Sequence, residues 1–596
     1  MILPTNREDL LDTLLYLFDR STELTADWRE EAYTYIKMIN SFVDEDTYPM
    51  QFKLFLPLAW GQIETALPEF VHGLLYRKPM VQVRKIHPIT DDLSIYNARR
   101  ILNNKWLTDD ITWYNTLMAI KEAKTIGNAW LRMEQSFIEQ QMCRYEPVYS
   151  GGIAYAHKKY TETVVVENRP RVRHLNAFNC RPDITKPYGE EEFFGEVFIK
   201  TMDELRFGGI KYSDLSAVEE DGDIAYDDVL ATERLRDRLV NPREYQPEYN
   251  MINLPRNPRQ IIQMVVKEHT RKGIRYRLIA IANRKQIIRD QIINVWPYIH
   301  FKNNPDFHVH LGRSDLQPMK SLQFGYNDLV NMSLDNMLMS LTKMIVAGAG
   351  SGVDFDTFSI EPGAVLHCDD INQVKIESWA DVNPSVFKLQ QVLMENIERA
   401  SGQSDYARGA TPPRQEFATT VAFIQQAASK RQDASIKMYE KTAISPWAKK
   451  HIEWAQNYQH MPDYLENENG SFDEIDMYSL QGLMEFEVNA ASMGLSELKR
   501  SQLHDFSQDV ANIYGPNTPE ILKLKILRNI ADTFDGLEEL VKDVDEFIQQ
   551  AEAVQANALP GLGPGIPGQP GIQGAAMPPG MGGVPPQANL QTTGVG

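Results

Sequence analysis

The stretch "MIVAGAGSGVDF", Met344 to Phe355, carries glycines at Gly348, Gly350 and Gly352. Whether it cradles a phosphate or joins two structural elements decides how the whole chain reads. A dinucleotide-binding loop follows a strand and opens a helix whose N-terminus faces the pyrophosphate. Here the preceding residues have helical spacing, and no helical pattern opens behind the glycines. A Walker loop ends in Gly-Lys-Ser/Thr, whereas this run continues Gly352-Val353-Asp354, and an aspartate repels phosphate. The pattern reads as a helix C-terminus breaking at Gly348 and leading into an insert.

On the upstream side, Leu322, Tyr326, Leu329, Val330, Leu334, Met337, Leu338, Leu341, Met344 and Ile345 recur at three-and-four spacing, with start signals at Asp315 and Pro318. This predicts one long amphipathic helix of about 28 residues, roughly 42 Å, within the segment 315–345. On the downstream side, "TFSIEPGAVLHC" and "QVKIESW" are strand-like. A second helix then opens with Asn383 as cap and Pro384 in the first turn, with Val386, Leu389, Leu393 and Ile397 on one face. A small mixed insert, 346–382, thus separates two helices, 315–345 and 383–400. A polar loop, "SGQSDYARGATPPRQ" (401–415), and a long helical stretch, "EFATTVAFIQQAASKRQDASIKMYEKT", follow.

Farther out, helical patterns cover Arg7–Arg20, Trp28–Val43 and Trp113–Thr125, and strand-like runs cover 129–135, 162–168, 193–201, 259–270 and 274–290. The acidic "VEEDGDIAYDD" (218–228) reads as a solvated loop. Near the other end, 495–552 reads as a small helical bundle, with Thr518-Pro519-Glu520 as one helix start. Residues 553–596 contain no charged side chain and are rich in proline and glycine, the composition of a disordered tail.

At 596 residues the chain exceeds one hydrophobic core, and roughly three to five domains are expected. Its three cysteines, Cys143, Cys180 and Cys368, form neither a disulfide framework nor a paired zinc site, which suits a reducing compartment. No secretory signal or membrane span is expected from the hydropathy pattern. The net charge of −20 opposes a general grip on nucleic acid, while leaving room for a protein that lets DNA slide past.

Catalytic chemistry is sparse. "HCDD" (His367–Asp370) mixes soft and hard ligands, but adjacent residues of an extended segment face opposite ways. Asp354 and Asp356 share a face without a third acid at suggestive spacing. No nucleophile elbow, zincin helix or CxxC pair occurs, so no catalytic, cofactor or metal site is assigned. Lys430, Arg431, Lys437, Lys441, Lys449 and Lys450, interleaved with Tyr439, Trp447 and Trp454, form a mix that suits nucleic acid. An exposed face set against acidic neighbours such as "DYLENENGSFDEID" (463–476) explains the lysines more simply.

In its order of elements the chain resembles the portal proteins, or head–tail connectors, of tailed bacteriophages, most closely those of short-tailed phages. The segments that carry the likeness are "LPLAWGQIETALPEFVHGLLYRKPMVQVR" (56–84), "KEAKTIGNAWLRMEQ" (121–135), "VRHLNAFNCRPDITKP" (172–187), "GRSDLQPMKSLQFGYNDLVNMSLDNM" (312–337) and "ATPPRQEFATTVAFIQQAASKR" (410–431). The likeness runs to about residue 552 and leaves the tail outside.

The resemblance implies an α+β, mainly helical subunit. Its wing would comprise 1–314 and 416–494, its stem helices 315–345 and 383–400, its small mixed α/β clip 346–382, its channel loop 401–415 and its helical crown 495–552. Leu334, Leu338, Leu341, Leu389, Leu393 and Ile397 would pack the stem, and Gly348, Gly350 and Gly352 would form the stem-to-clip hinge. Gln403, Tyr406, Arg408 and Arg414 would face the channel.

It also implies a homo-oligomeric ring, a dodecamer in virions, through which double-stranded DNA is packaged and ejected. The partners would be the major capsid protein, the terminase large subunit, tail adaptor proteins and scaffold. The ring would lie at the capsid vertex of the virion after assembly in the host bacterial cytoplasm, with no cofactor and no membrane. The competing readings are a ring-forming head–tail adaptor and a metal-dependent nuclease using Asp354, Asp356, Asp369 and Asp370.

Overall fold

A computed structural model of the chain describes residues 3–41, 52–75, 80–88, 90–150, 153–207, 210–220, 258–271, 273–307, 309–341, 344–353, 367–377, 383–401, 434–459, 462–466, 472–480, 482, 484–488, 507–508, 520–531, 544 and 547. It divides into two units, 1–502 and 503–596.

The chain opens with α1 (Arg7–Leu24) and α2 (Ala26–Ile39). Next comes α3 (Leu58–Phe70), extended by a π turn over Val71–Leu75. Strand β1 (Val81–Lys85) leads to α4 (Asp92–Thr108) and α5 (Asp110–Ile126). Helix α5 stops at Gly127, whose φ of 92° is left-handed and whose N–H returns to the Ala123 carbonyl at 2.8 Å. That glycine releases the chain directly into β2 (Asn128–Ser150), which doubles back as β3 (Ile153–Leu175). Both strands have 23 residues, far beyond the expected runs 129–135 and 162–168.

A five-stranded antiparallel sheet follows: β4 (Cys180–Pro182), β5 (Phe193–Thr201), β6 (Pro258–Thr270), β7 (Gly273–Ala282) and β8 (Gln286–Ile293), in that spatial order. Its central strand β6 alternates as a pleat requires. Ile262, Met264 and Val266 meet Leu10, Leu14 and Phe18 of α1, while Ile261 packs with Met202 and Leu205 on the other face. Those last two side chains belong to α6 (Met202–Phe207), which is followed by α7 (Leu215–Glu220). The acidic run expected as a loop from 218 therefore begins inside α7, with Val218 buried, and its remainder, 221–228, lies outside the described residues. The single strand-like run 274–290 is a hairpin. Asn283 and Arg284, at φ 47° and 59°, make the left-handed turn between β7 and β8, closed by Lys285 N–H donating to the Ala282 carbonyl.

Strand β9 (Tyr298–Lys302) pairs with β2 only over Asn128–Arg132. Beyond it come α8 (Lys320–Leu341), β10 (Met344–Ala347), β11 (Val374–Glu377) and α9 (Pro384–Ser401). Residues 434–458 are helical, with a π turn at Glu440–Ile444 ahead of α10 (Ser445–Tyr458). The chain then returns through β12 (Asp463–Glu466), β13 (Phe472–Ile475) and β14 (Met484–Val488). Strand β14 pairs antiparallel with β1. This return builds the largest core, in which Phe70, Leu102, Ile120 and Phe301 meet Tyr439, Trp447, Ile452 and Phe486. In the second unit the described helix is α11 (Glu520–Ala531). Helices and antiparallel sheets segregate, which makes the chain a mixed α+β protein. Among the described residues no helix is long and apolar enough to cross a membrane.

Candidate functional site

Helix α8 is fixed at its root by a buried polar knot. Asp315 accepts from Lys124 Nζ at 2.7 Å and from Asn303 Nδ2 at 2.9 Å and Asn304 Nδ2 at 2.5 Å. Burial alone would raise the Asp315 carboxyl, but Lys124 and the two asparagines outweigh it and hold it below its ordinary value. Asn303 also accepts from the Tyr439 hydroxyl at 2.8 Å, so the return helix joins the same knot. A close backbone approach completes it. A Cβ on Gly312 would lie 2.1 Å from the Asn303 carbonyl and 2.6 Å from that of Gly127. Two segments quoted separately in the sequence, 121–135 and 312–337, therefore lock together through their glycines, Gly127 and Gly312.

Along α8 the buried positions are polar. Gln323, Asn327 and Asn331 are buried, and with Asp335 they recur at every fourth residue. They pair with the backbone of alternate residues upstream. Asp335 Oδ1 accepts from Phe52 N–H at 3.0 Å, Asn331 Oδ1 from Leu54 N–H at 2.9 Å, and Asn327 Oδ1 from Leu56 N–H at 3.2 Å. In return, Asn331 Nδ2 donates to the Leu54 carbonyl at 3.0 Å and Gln323 Nε2 to the Leu56 carbonyl at 3.0 Å. Four helical residues rise about 6 Å and two extended residues about 6.6 Å, so the ladder stays in register over three rungs.

The six side chains expected to pack the stem are spread between the subunit core and its surface. Of Leu334, Leu338, Leu341, Leu389, Leu393 and Ile397, only Ile397 is fully buried, against Tyr35, Met38, Leu316 and Met319. Leu334, Leu338 and Leu393 are half-buried, whereas Leu341 is 78% and Leu389 48% exposed. Met332, Met337, Met339, Phe387 and Val392 are exposed on the same two helices. Within the subunit, the fully buried face of α8 is the amide face of Gln323, Asn327 and Asn331. The cap at Asn383 is as expected, its Oδ1 accepting from Ser385 N–H at 3.0 Å.

The glycine run follows a strand, which corrects the helix expected to 345 and its break at Gly348. Helix α8 ends at Leu341, and Met344–Ala347 pair antiparallel with Val374–Glu377. Ile345 and Val346 favour this ladder because β-branched side chains suit a pleat. The turn is tied down at both ends: Gly348 N–H donates to the Gln373 carbonyl at 2.9 Å, Ser351 N–H to that of Gly348 at 3.0 Å, and Asp369 N–H to that of Ser351 at 2.9 Å. Gly352, at φ 64°, lies so close under the Asp369 carboxylate that a Cβ would come within 1.9 Å of it. Asp370 is engaged in its own turn, its Oδ1 accepting from Asn372 N–H at 3.0 Å and its Oδ2 from Gln373 Nε2 at 3.2 Å. Among the described residues no group of three or more His, Cys, Asp and Glu side chains could hold a metal ion. Asp354 and Asp356 lie outside them, as do Gln403, Tyr406, Arg408, Arg414, Lys430, Arg431 and the tail 553–596.

Among the described residues, three lysines of the return helix pair locally, with Glu440 and Glu453. Lys437 lies 2.9 Å and Lys441 3.7 Å from Glu440, and Lys449 lies 3.9 Å from Glu453. Tyr439, Trp447 and Trp454 are buried in the main core and so are not stacking platforms for bases. Lys450 donates to the Tyr298 carbonyl, and burial lowers its pKa to about 8.

A family model described as the phage SU10 portal protein matches residues 118–570, about three-quarters of the chain. The chain belongs to that family, and its role is that of a tailed-phage portal protein, structural and not enzymatic. The match starts within α5, after the quoted segment 56–84, and runs past 552 into the proline- and glycine-rich tail. None of the curated proteins searched matches the chain.

Proposed function

We propose that this chain is the repeating subunit of a portal ring, twelve-fold in the virion, through which double-stranded DNA is packaged and later ejected. In this reading 1–314 and 416–494 are the wing, α8 and α9 the stem, the small β10–β11 insert the clip, 401–415 the channel loop and 495–552 the crown. The clip docks the terminase large subunit during packaging and tail adaptors afterwards, while the wing meets the major capsid protein and scaffold at the vertex. The observation that carries the reading, beside family membership, is the pair of helices α8 and α9. Each is anchored in the subunit and leaves large apolar side chains exposed, Met332, Met337, Met339 and Leu341 on α8 and Phe387, Leu389 and Val392 on α9. Large apolar side chains left exposed on two neighbouring helices suit an interface, and in a ring the next copies cover them.

Arg408 and Arg414 are the channel-loop cations in this reading, and Gly348, Gly350 and Gly352 set the junction of stem and clip. The strongly acidic remainder suits a wall that DNA must pass without sticking. Negative-stain electron microscopy with solution mass tests the assembly. Rings of about a dozen copies with a hole wide enough for duplex DNA are expected. A chain that stays monomeric at high concentration and forms no ring with capsid protein and scaffold refutes it. Replacing Arg408 and Arg414 by glutamine should reduce packaged DNA, and unchanged packaging would remove the role given to them.

A further inference from the structure

The hairpin β2–β3 continues well past the sheet it belongs to. Strand β9 covers β2 only to Arg132, where Tyr298 is its last paired residue and Pro297 follows without an N–H to donate. Met133 N–H still donates to the Pro297 carbonyl at 2.7 Å, and beyond it the two strands pair with each other alone, through Ser150 and Ile153. Sixteen residues from Gln135 to Ser150 at about 3.3 Å each reach roughly 50 Å.

Side chains are exposed on both faces of this ribbon. Directly paired residues share a face, so Met142 with Glu162 and Arg144 with Tyr160 lie on one side, and Cys143 with Thr161 and Tyr145 with Lys159 on the other. All eight are exposed, Tyr145 to 62%, and Phe137 and Ile138 at the base are exposed as well. A lone two-stranded ribbon is marginal in water because it orders its backbone without covering a core. One cross-strand ion pair, Arg144 to Glu162 at 2.8 Å, adds little at such exposure.

We infer that the β2–β3 ribbon is an intersubunit arm, which gains its stability by lying on the neighbouring copy of the same chain. The inference rests on the ring reading above. Charge selects the occupant. Residues 139–162 hold three acids (Glu139, Glu146, Glu162) and three bases (Arg144, Lys158, Lys159), net zero, in a chain of net charge −20. A neutral arm is a part of this surface that an acidic second copy does not repel, and it gives DNA phosphates no grip. Ring contacts are heterologous, so a projection from one copy onto a different patch of the next suits the geometry.

The test uses the full chain in two forms. In the first, a photo-crosslinking phenylalanine analogue replaces Tyr145 alone; irradiation of purified rings should give covalent dimers. In the second, Tyr145→Glu with Tyr160→Glu puts a charge on each face of the arm. Half-assembly, followed by mass photometry, should then need at least tenfold more protein, with helix and strand content unchanged by circular dichroism. Rings that form at the original concentration without crosslinked dimers would overturn the arm and leave the portal reading standing. Crosslinking only to added capsid protein or to DNA would overturn it too. If the unmodified chain neither assembles nor crosslinks under any condition, arm and ring reading fall together. Should the double variant misfold, the single-site crosslink decides.

Discussion

Asn331→Ala is the sharpest probe of how α8 is held. Asn331 is 1% exposed and bonds one residue twice, accepting from Leu54 N–H at 2.9 Å and donating to the Leu54 carbonyl at 3.0 Å. Each buried hydrogen bond contributes about 0.5–1.5 kcal/mol net, so the loss amounts to about 1–3 kcal/mol. Helix propensity offsets under about 0.7 kcal/mol of it, because alanine is the better helix former. The cost falls on the local opening of 52–56, since the root of α8 is fixed independently by Asp315. Hydrogen exchange by mass spectrometry should therefore show the Leu54 amide exchanging roughly 2- to 50-fold faster, at about tenfold per 1.4 kcal/mol, with α1 and β6 unchanged. Asn331→Asp separates the two bonds: it keeps an acceptor for Leu54 N–H, loses the donor, and adds a charge one turn from Asp335. An intermediate acceleration is expected. If Leu54 exchanges equally fast in all three proteins, the ladder contributes nothing and the account of α8 is wrong.

Four further outcomes follow from the same physics. Lys124→Met leaves the Asp315 carboxylate with only its asparagines. It should cost about 3 kcal/mol, the low end for a broken buried pair because Asp315 remains 30% exposed, read as a lowered thermal midpoint near neutral pH. Because the folded Asp315 pKa is below the ordinary 3.8, its stabilisation is present above that pH and is lost as pH falls through the folded value; acid melts of wild type and Asp315→Asn should converge only there. Lys450, at about 8 when folded and 10.5 otherwise, binds more protons unfolded across that window, so stability should gain a positive slope between pH 8 and 10.5 that Lys450→Met removes. Gly312→Ala meets backbone on two sides at 2.1 and 2.6 Å and should abolish soluble expression, whereas Gly352→Ala meets only a movable carboxylate and a strained φ and should cost about 1–3 kcal/mol in the same melts.

How far the sequence could be read depended on whether a residue's partner was local. Caps and short periodicities came through: Asn383 ahead of Pro384, the α1 stripe, and the alternating run that became β6 all draw on neighbours within a few positions. The end of α8 did not, because Met344 and Ile345 fit a three-and-four stripe as well as they fit a strand. Only the pairing with residues thirty positions on, 374–377, chooses between the two. The β2–β3 ribbon was under-read for the opposite reason: with both faces exposed, no burial pattern alternates along "SFIEQQMCRYEP", so period two is absent even though the strand is long. The amide face of α8 shows the commonest trap. Gln323, Asn327, Asn331 and Asp335 look like a solvated face, yet the first three are buried and Asp335 half-buried because their partner is backbone, which leaves no hydrophobic trace in the sequence. The signal was present nonetheless in their strict four-residue interval, which solvation does not demand and a ladder of alternate peptide groups does.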